Sequence, residues 1–104
     1  MPKRTRGYED SLRTALRDPV EAAAYLNAHL EEKGKEAEKL FLMALRDVAA
    51  AFGMKALASK ALVGRESLYK SLAKSGNPRL STLAALLRAM GLELAVKVKG
   101  KKAS

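Results

Sequence analysis

A short polar stretch of this sequence has the residue types that contact base pairs in duplex DNA. In a helix, the outward face would hold Arg65, Glu66, Tyr69 and Lys70, with Ser67 at its edge. Arginine can form two parallel hydrogen bonds with a guanine edge, and glutamate can accept one from cytosine. We therefore predict a major-groove helix in which Arg65, Glu66, Ser67 and Tyr69 contact bases.

Basic residues on and around this stretch are candidates for contact with the DNA backbone. Lys55 precedes the stretch, Lys70 lies within it, and Arg79 follows it. Lysine and arginine side chains bind phosphate oxygens, and the free amides at a helix N-terminus add further donors. We predict that these three residues bind phosphates and hold the helix in register.

Other chemistry has little support in the sequence. There are no cysteines, which excludes disulfides, thiolate metal sites and a cysteine nucleophile. His29 is the single histidine, and one imidazole without a cysteine or a second histidine nearby is a poor metal site. Nothing indicates a catalytic triad or a phosphate-binding glycine loop. We predict no catalytic residue, no metal, no cofactor and no enzyme.

The charge balance points to an anionic partner without identifying it. Twenty lysines and arginines oppose eleven acidic residues, for a net charge of +9 over 104 residues. Such a field attracts nucleic acid, acidic membranes or acidic proteins alike. No apolar run approaches the roughly 20 residues that span a bilayer, and Tyr8, Glu9 and Asp10 follow the basic start where a signal segment would be apolar. We expect a cytoplasmic protein without membrane contact.

The apolar spacing predicts a helical chain of one small domain. Asp18 is placed to cap a helix that begins at Pro19 and runs to about Lys33. The other predicted helical segments are Tyr8 to Arg17, Phe41 to Phe52, Lys55 to Ala61, Arg65 to Ala73 and Leu80 to Met90.

Two of these segments have the features of a helix-turn-helix. Only Leu62, Val63 and Gly64 separate them, so the chain must turn sharply. Ala58 supplies the small residue that lets two helices approach, and Leu68 and Leu72 supply inner apolar positions. On spacing alone, an ordinary helical hairpin fits about equally well.

The last segment alternates apolar and polar residues with a period of two, which predicts a strand. Its apolar positions are Leu92, Leu94, Val96 and Val98. Because a lone strand leaves its backbone groups unpaired, we expect these residues to meet a second copy in a homodimer, the N-terminal segment, or another protein.

The chain resembles the addiction-module antidote family, HigA-like antitoxins with a λ-repressor-like domain. The likeness rests chiefly on the runs 65–69 and 76–83 and extends from about Tyr8 to Val98. It implies a transcriptional autoregulator that binds double-stranded operator DNA as a homodimer and neutralises a RelE-like toxin encoded beside it. Leu62 stands where the family usually has glycine, and Gly64 stands where serine or threonine usually caps the helix.

Together these patterns predict an all-α, λ-repressor-like fold with N-terminal helices and one C-terminal β-strand. We expect an N-terminal arm and helices over 1–35, the DNA-binding domain over 36–91, and a strand with a basic tail over 92–104. Lysines and arginines at both chain ends are either solvated or in contact with phosphates. Two alternatives remain open: a phage-like repressor without a toxin, and an interaction module that adds its strand to a partner's sheet.

Overall fold

The computed structural model describes residues 6–31 and 34–100, apart from the side chain of Arg6. Six helices form this part of the chain: α1 (Arg6–Ala15), α2 (Pro19–Leu30), α3 (Ala37–Phe52), α4 (Met54–Ala61), α5 (Arg65–Leu72) and α6 (Leu80–Ala89). The all-α prediction is therefore confirmed. None of these helices is both long and apolar enough to cross a membrane. Lys33 and the basic residues at positions 3, 4, 101 and 102 lie outside the described ranges.

Helix α3 forms the centre of the core, and α1, α2, α4 and α5 all pack against it. Its sequence buries apolar residues on several sides, because alanines fill the positions between its larger side chains. Ala44, Leu45 and Ala49 have no solvent exposure. An alanine-rich surface lets neighbouring helices approach closely, so one helix can organise the others around it.

Helix α2 begins as the sequence predicts and is tied to α3 by a side-chain hydrogen bond. The carboxylate of Asp18 accepts from the backbone N–H of Val20 at 2.9 Å, with Pro19 at the first helical position. The Tyr25 hydroxyl donates to Oδ2 of Asp47 at 2.6 Å. His29 lies one turn after Tyr25, with its Nδ1 2.7 Å from the Tyr25 carbonyl oxygen and the two rings 4.5 Å apart. His29 is thus a packing residue.

The predicted C-terminal strand is wrong, since residues 92–98 are irregular and no strand occurs in the described ranges. A strand needs a neighbour with free backbone groups, and the helices of this chain satisfy theirs internally. The Leu92 N–H instead donates to the carbonyl of Leu87 at 2.7 Å and completes the end of α6. Leu92 packs on the core, whereas Leu94, Val96 and Val98 are exposed, so the alternation does not mark one buried face.

Candidate nucleic-acid interface

Helices α4 and α5 pack against each other through the small and apolar positions that the sequence indicates. Ala58 and Leu57 of α4 are buried, and so are Leu68 and Leu72 of α5. Between the helices, the Val63 N–H donates to the carbonyl of Ala58 at 3.0 Å, and the Val63 side chain packs partly buried against the core. The two segments therefore form one compact pair that also rests on α3.

Burial of Leu68 and Leu72 determines which face of α5 meets solvent. These leucines are four residues apart and hold one side of α5 against the core, so residues on the other side must point outward. The structure exposes every residue predicted for DNA contact on α5: Arg65, Glu66, Ser67, Tyr69 and Lys70. The four side chains proposed for base contact are thus accessible to solvent, and contact with bases stays a prediction.

The start of α5 is also accessible. Gly64 precedes the helix with extended backbone angles, φ −61° and ψ 141°, and without a side chain it offers no cap. Arg65 is the first helical residue. The first amides of a helix carry partial positive charge, and the first turn of α5 adds the Arg65 cation and the Glu66 carboxylate, so it offers both hydrogen-bond donors and an acceptor.

The three residues predicted to bind phosphate are exposed and lie on separate elements. Lys55 lies in the first turn of α4, Lys70 in the last turn of α5, and Arg79 directly before α6. Neither α4 nor α6 has an acidic residue in its first turn, so no carboxylate opposes anion binding there. Helices α4 and α6 contact each other, so Lys55 and Arg79 belong to one packed pair of helices.

The turn between α4 and α5 contains an unusual backbone conformation. Leu62 has φ 58° and ψ 40°, in the left-handed region, and its N–H donates to the carbonyls of Ala58 and Ser59 to end α4. Glycine is the usual residue at such a helix end. A bulky residue such as leucine is strained in this conformation.

Sequence reasoning missed further cationic residues near this surface. Lys60 is exposed at the end of α4, with its amine 5.6 Å from the ring centroid of Phe52, and Lys74 is exposed just after α5. Arg46 of α3 lines a mostly apolar groove together with Tyr69. Lys60 and Lys74 could have been found by their closeness in sequence, but only the packing of α3 on α5 connects Arg46 with Tyr69.

Within the described ranges, no cluster of three or more histidine or acidic side chains is arranged to hold a metal ion. The exposed chemistry around α5 consists of cations, one carboxylate, hydroxyls and free helix-end amides. This set of groups can form hydrogen bonds and ion pairs with a polyanion.

Comparison with known proteins gives two matches. A family model described as "probable addiction module antidote protein" matches residues 10–98 of the chain. An uncharacterized protein of Haemophilus influenzae (strain ATCC 51907 / DSM 11121 / KW20 / Rd) is 39% identical over 81 residues, which are 78% of this chain and 80% of that protein. No solved structure matches the chain. The family match extends from α1 past α6 and includes the whole α4–α5 pair.

Proposed function

The chain belongs to the addiction module antidote family, and from this premise we propose that it is an antitoxin that also binds its own operator and represses transcription. An antidote implies a toxin as its partner. The observation that supports the DNA-binding part of the proposal is the exposure of Arg65, Glu66 and Tyr69 on α5, a helix that the buried Leu68 and Leu72 hold against the core.

In the proposed complex, α5 enters the major groove with its N-terminal end toward the base edges. Arg65 donates two hydrogen bonds to guanine, and Glu66 accepts one from cytosine. Ser67 and Tyr69 contact neighbouring base edges or sugars, while Lys55, Lys70 and Arg79 hold phosphates. The net charge of +9 increases the rate of encounter with DNA.

We further propose that two copies bind one operator, because two-fold proteins match two-fold sites with half-sites a helical turn or a multiple apart. Among the residues predicted to meet a partner, Leu94, Val96 and Val98 are exposed. Their apolar side chains are candidates for contact with a second copy or with the toxin, without any strand pairing.

The toxin of this proposal is a RelE-like protein encoded beside the chain. Co-expression of both products, with a tag on the toxin only, should yield a stable complex and restore growth of cells that express the toxin. If no adjacent frame encodes such a product, or if the two proteins do not co-purify, the antitoxin part of the proposal fails. DNA binding alone would then define a repressor.

Replacement of Arg65 tests the role of α5 in DNA binding. A binding selection from random duplexes first gives the preferred site of the unaltered protein. We expect Arg65→Ala to weaken binding to that site by about 1–3 kcal/mol for each bound chain and to relax base preference at one position of each half-site. Lys55→Ala should weaken binding to all sequences about equally and reduce the salt slope by about 1 for each bound chain.

Lys35→Ala is the matched control, since Lys35 is an exposed lysine before α3 that is not among the residues proposed to contact DNA. Its affinity for the selected duplex should equal that of the unaltered protein. Unchanged binding by Arg65→Ala would show that α5 does not contact bases. Equal affinity of the unaltered protein for selected and scrambled duplexes would reduce the interaction to charge attraction.

A further inference from the structure

Leu62, between α4 and α5, has a backbone conformation that suits its residue type poorly. In the described part of the chain, it is the only residue other than glycine with a positive φ, at 58°. In this region the Cβ of any L-residue comes too close to the following carbonyl oxygen, whereas glycine has no such conflict. A glycine would therefore fit the turn better than the leucine does.

Backbone hydrogen bonds to Ala58 and Ser59 hold this conformation at the end of α4, but no contact of the leucine side chain offsets its strain. The Leu62 side chain is 93% exposed, while that of its neighbour Val63 packs against the core. Because the leucine side chain is exposed, it gains no free energy from burial. It therefore adds neither packing nor backbone stability. The fold uses the backbone of Leu62 to end α4 but not its side chain, and a strained side chain without a structural role is a reason to consider a role in binding.

The position of Leu62 suggests what it binds. It lies three residues before Arg65, and the chain from Leu62 to Ser67 is exposed except at the partly buried Val63. The exposed apolar side chain thus continues the surface proposed to enter the major groove. At base edges in that groove, the apolar group is the C5 methyl of thymine.

We propose that Leu62 determines specificity by contacting a thymine methyl group beside the base pairs that Arg65 faces, an inference that rests on the proposed DNA-binding function. The contact excludes water from both the leucine side chain and the methyl group. It therefore favours thymine over cytosine, which lacks the methyl group, at one position of the site.

Three variants separate the side chain from the backbone strain. We expect Leu62→Gly to raise the thermal unfolding midpoint by roughly 4 °C and to weaken binding to the selected duplex by about four- to tenfold. Leu62→Ala should weaken binding to a similar extent with little gain in stability, because alanine keeps the strained backbone. Leu62→Met should keep both properties near those of the unaltered protein.

Replacement of thymine by uracil, one position at a time, removes single methyl groups from the duplex. At one position near the Arg65 contact, this replacement should weaken binding of the unaltered protein but leave binding of Leu62→Ala unchanged. Val20→Ala is the control, since Val20 is 75% exposed on α2 and lies away from α4 and α5 in the chain; its uracil profile should match that of the unaltered protein.

The outcomes distinguish this inference from the proposed function. If the unaltered protein selects no preferred duplex, DNA recognition itself fails. If it selects one, but its uracil profile equals that of Leu62→Ala, the function stands and the thymine contact is overturned. If Leu62→Gly loses the same affinity for every duplex sequence, the thymine contact is likewise overturned. Such a loss indicates contact with the sugar-phosphate backbone.

Discussion

At the residue scale, α5 begins without a side-chain cap, because its N-cap residue is Gly64. The backbone angles there, φ −61° and ψ 141°, suit serine, and an added Cβ would meet only the Oγ of Ser67, at 3.8 Å. We therefore expect Gly64→Ser to raise the free energy of unfolding by a few tenths to about 1 kcal/mol, through a new cap and a less flexible unfolded chain. Urea denaturation measures the change.

Gly64→Ala is the control for this substitution, because alanine restricts the unfolded chain without offering a hydroxyl group. The serine variant should be the more stable of the two. A serine variant no more stable than the alanine variant would show that the N-terminal amides of α5 gain nothing from a side-chain cap.

Much at this scale could be predicted from the sequence. The exposure of Glu66 and Lys70 follows from the spacing of Leu68 and Leu72, since helix geometry puts the two pairs on opposite sides, whereas Arg65 is the first residue of the helix. The closeness of Arg46 to Tyr69 could not be predicted. It depends on how α3 packs on α5, and the local pattern of neither helix contains that information.

At the scale of elements, Gly76 determines how closely the chain passes the end of α5. A Cβ at this position would lie 2.3 Å from the carbonyl oxygen of Ser71 and 2.7 Å from that of Lys70. Because backbone atoms would have to move, we expect Gly76→Ala to lower the free energy of unfolding by about 2 kcal/mol or more. Thermal and urea unfolding measure the loss.

Gly7→Ala provides the control for a glycine without such a neighbour. Gly7 lies in α1, with nothing within 4 Å of an added Cβ. Alanine there should stabilise the protein by up to about 1 kcal/mol, because it favours the helix. If Gly76→Ala unfolds at the same urea concentration as the unaltered protein, the close approach to α5 is not a constraint.

The elements themselves were predictable to different degrees. Helix α2 was evident because Asp18 and Pro19 form a start signal that acts locally. The segment from Leu92 to Val98 was misassigned because a period of two does not reveal whether a partner strand exists. Strand formation depends on distant backbone groups, whereas a helix satisfies its own.

At the scale of the whole molecule, helices from two parts of the sequence pack on α3. Helices α1 and α2 pack on α3, while α4 and α5 pack on it as a connected unit with α6. The proposed DNA contacts belong to α4, α5 and the start of α6. This arrangement leaves α1, α2 and the segment after α6 available for protein partners when DNA is bound.

We expect two chains to bind one operator, and the salt dependence of binding measures this number. Each chain offers Lys55, Lys70 and Arg79 to phosphates, so two chains should make about six contacts and give a slope of roughly −5 in a plot of log affinity against log salt. A duplex with one half-site should bind one chain, with a slope of roughly −3. Sedimentation of the complexes gives the stoichiometry independently. One chain on the full operator with the shallower slope would contradict binding as a dimer, because the second set of phosphate contacts would then not exist.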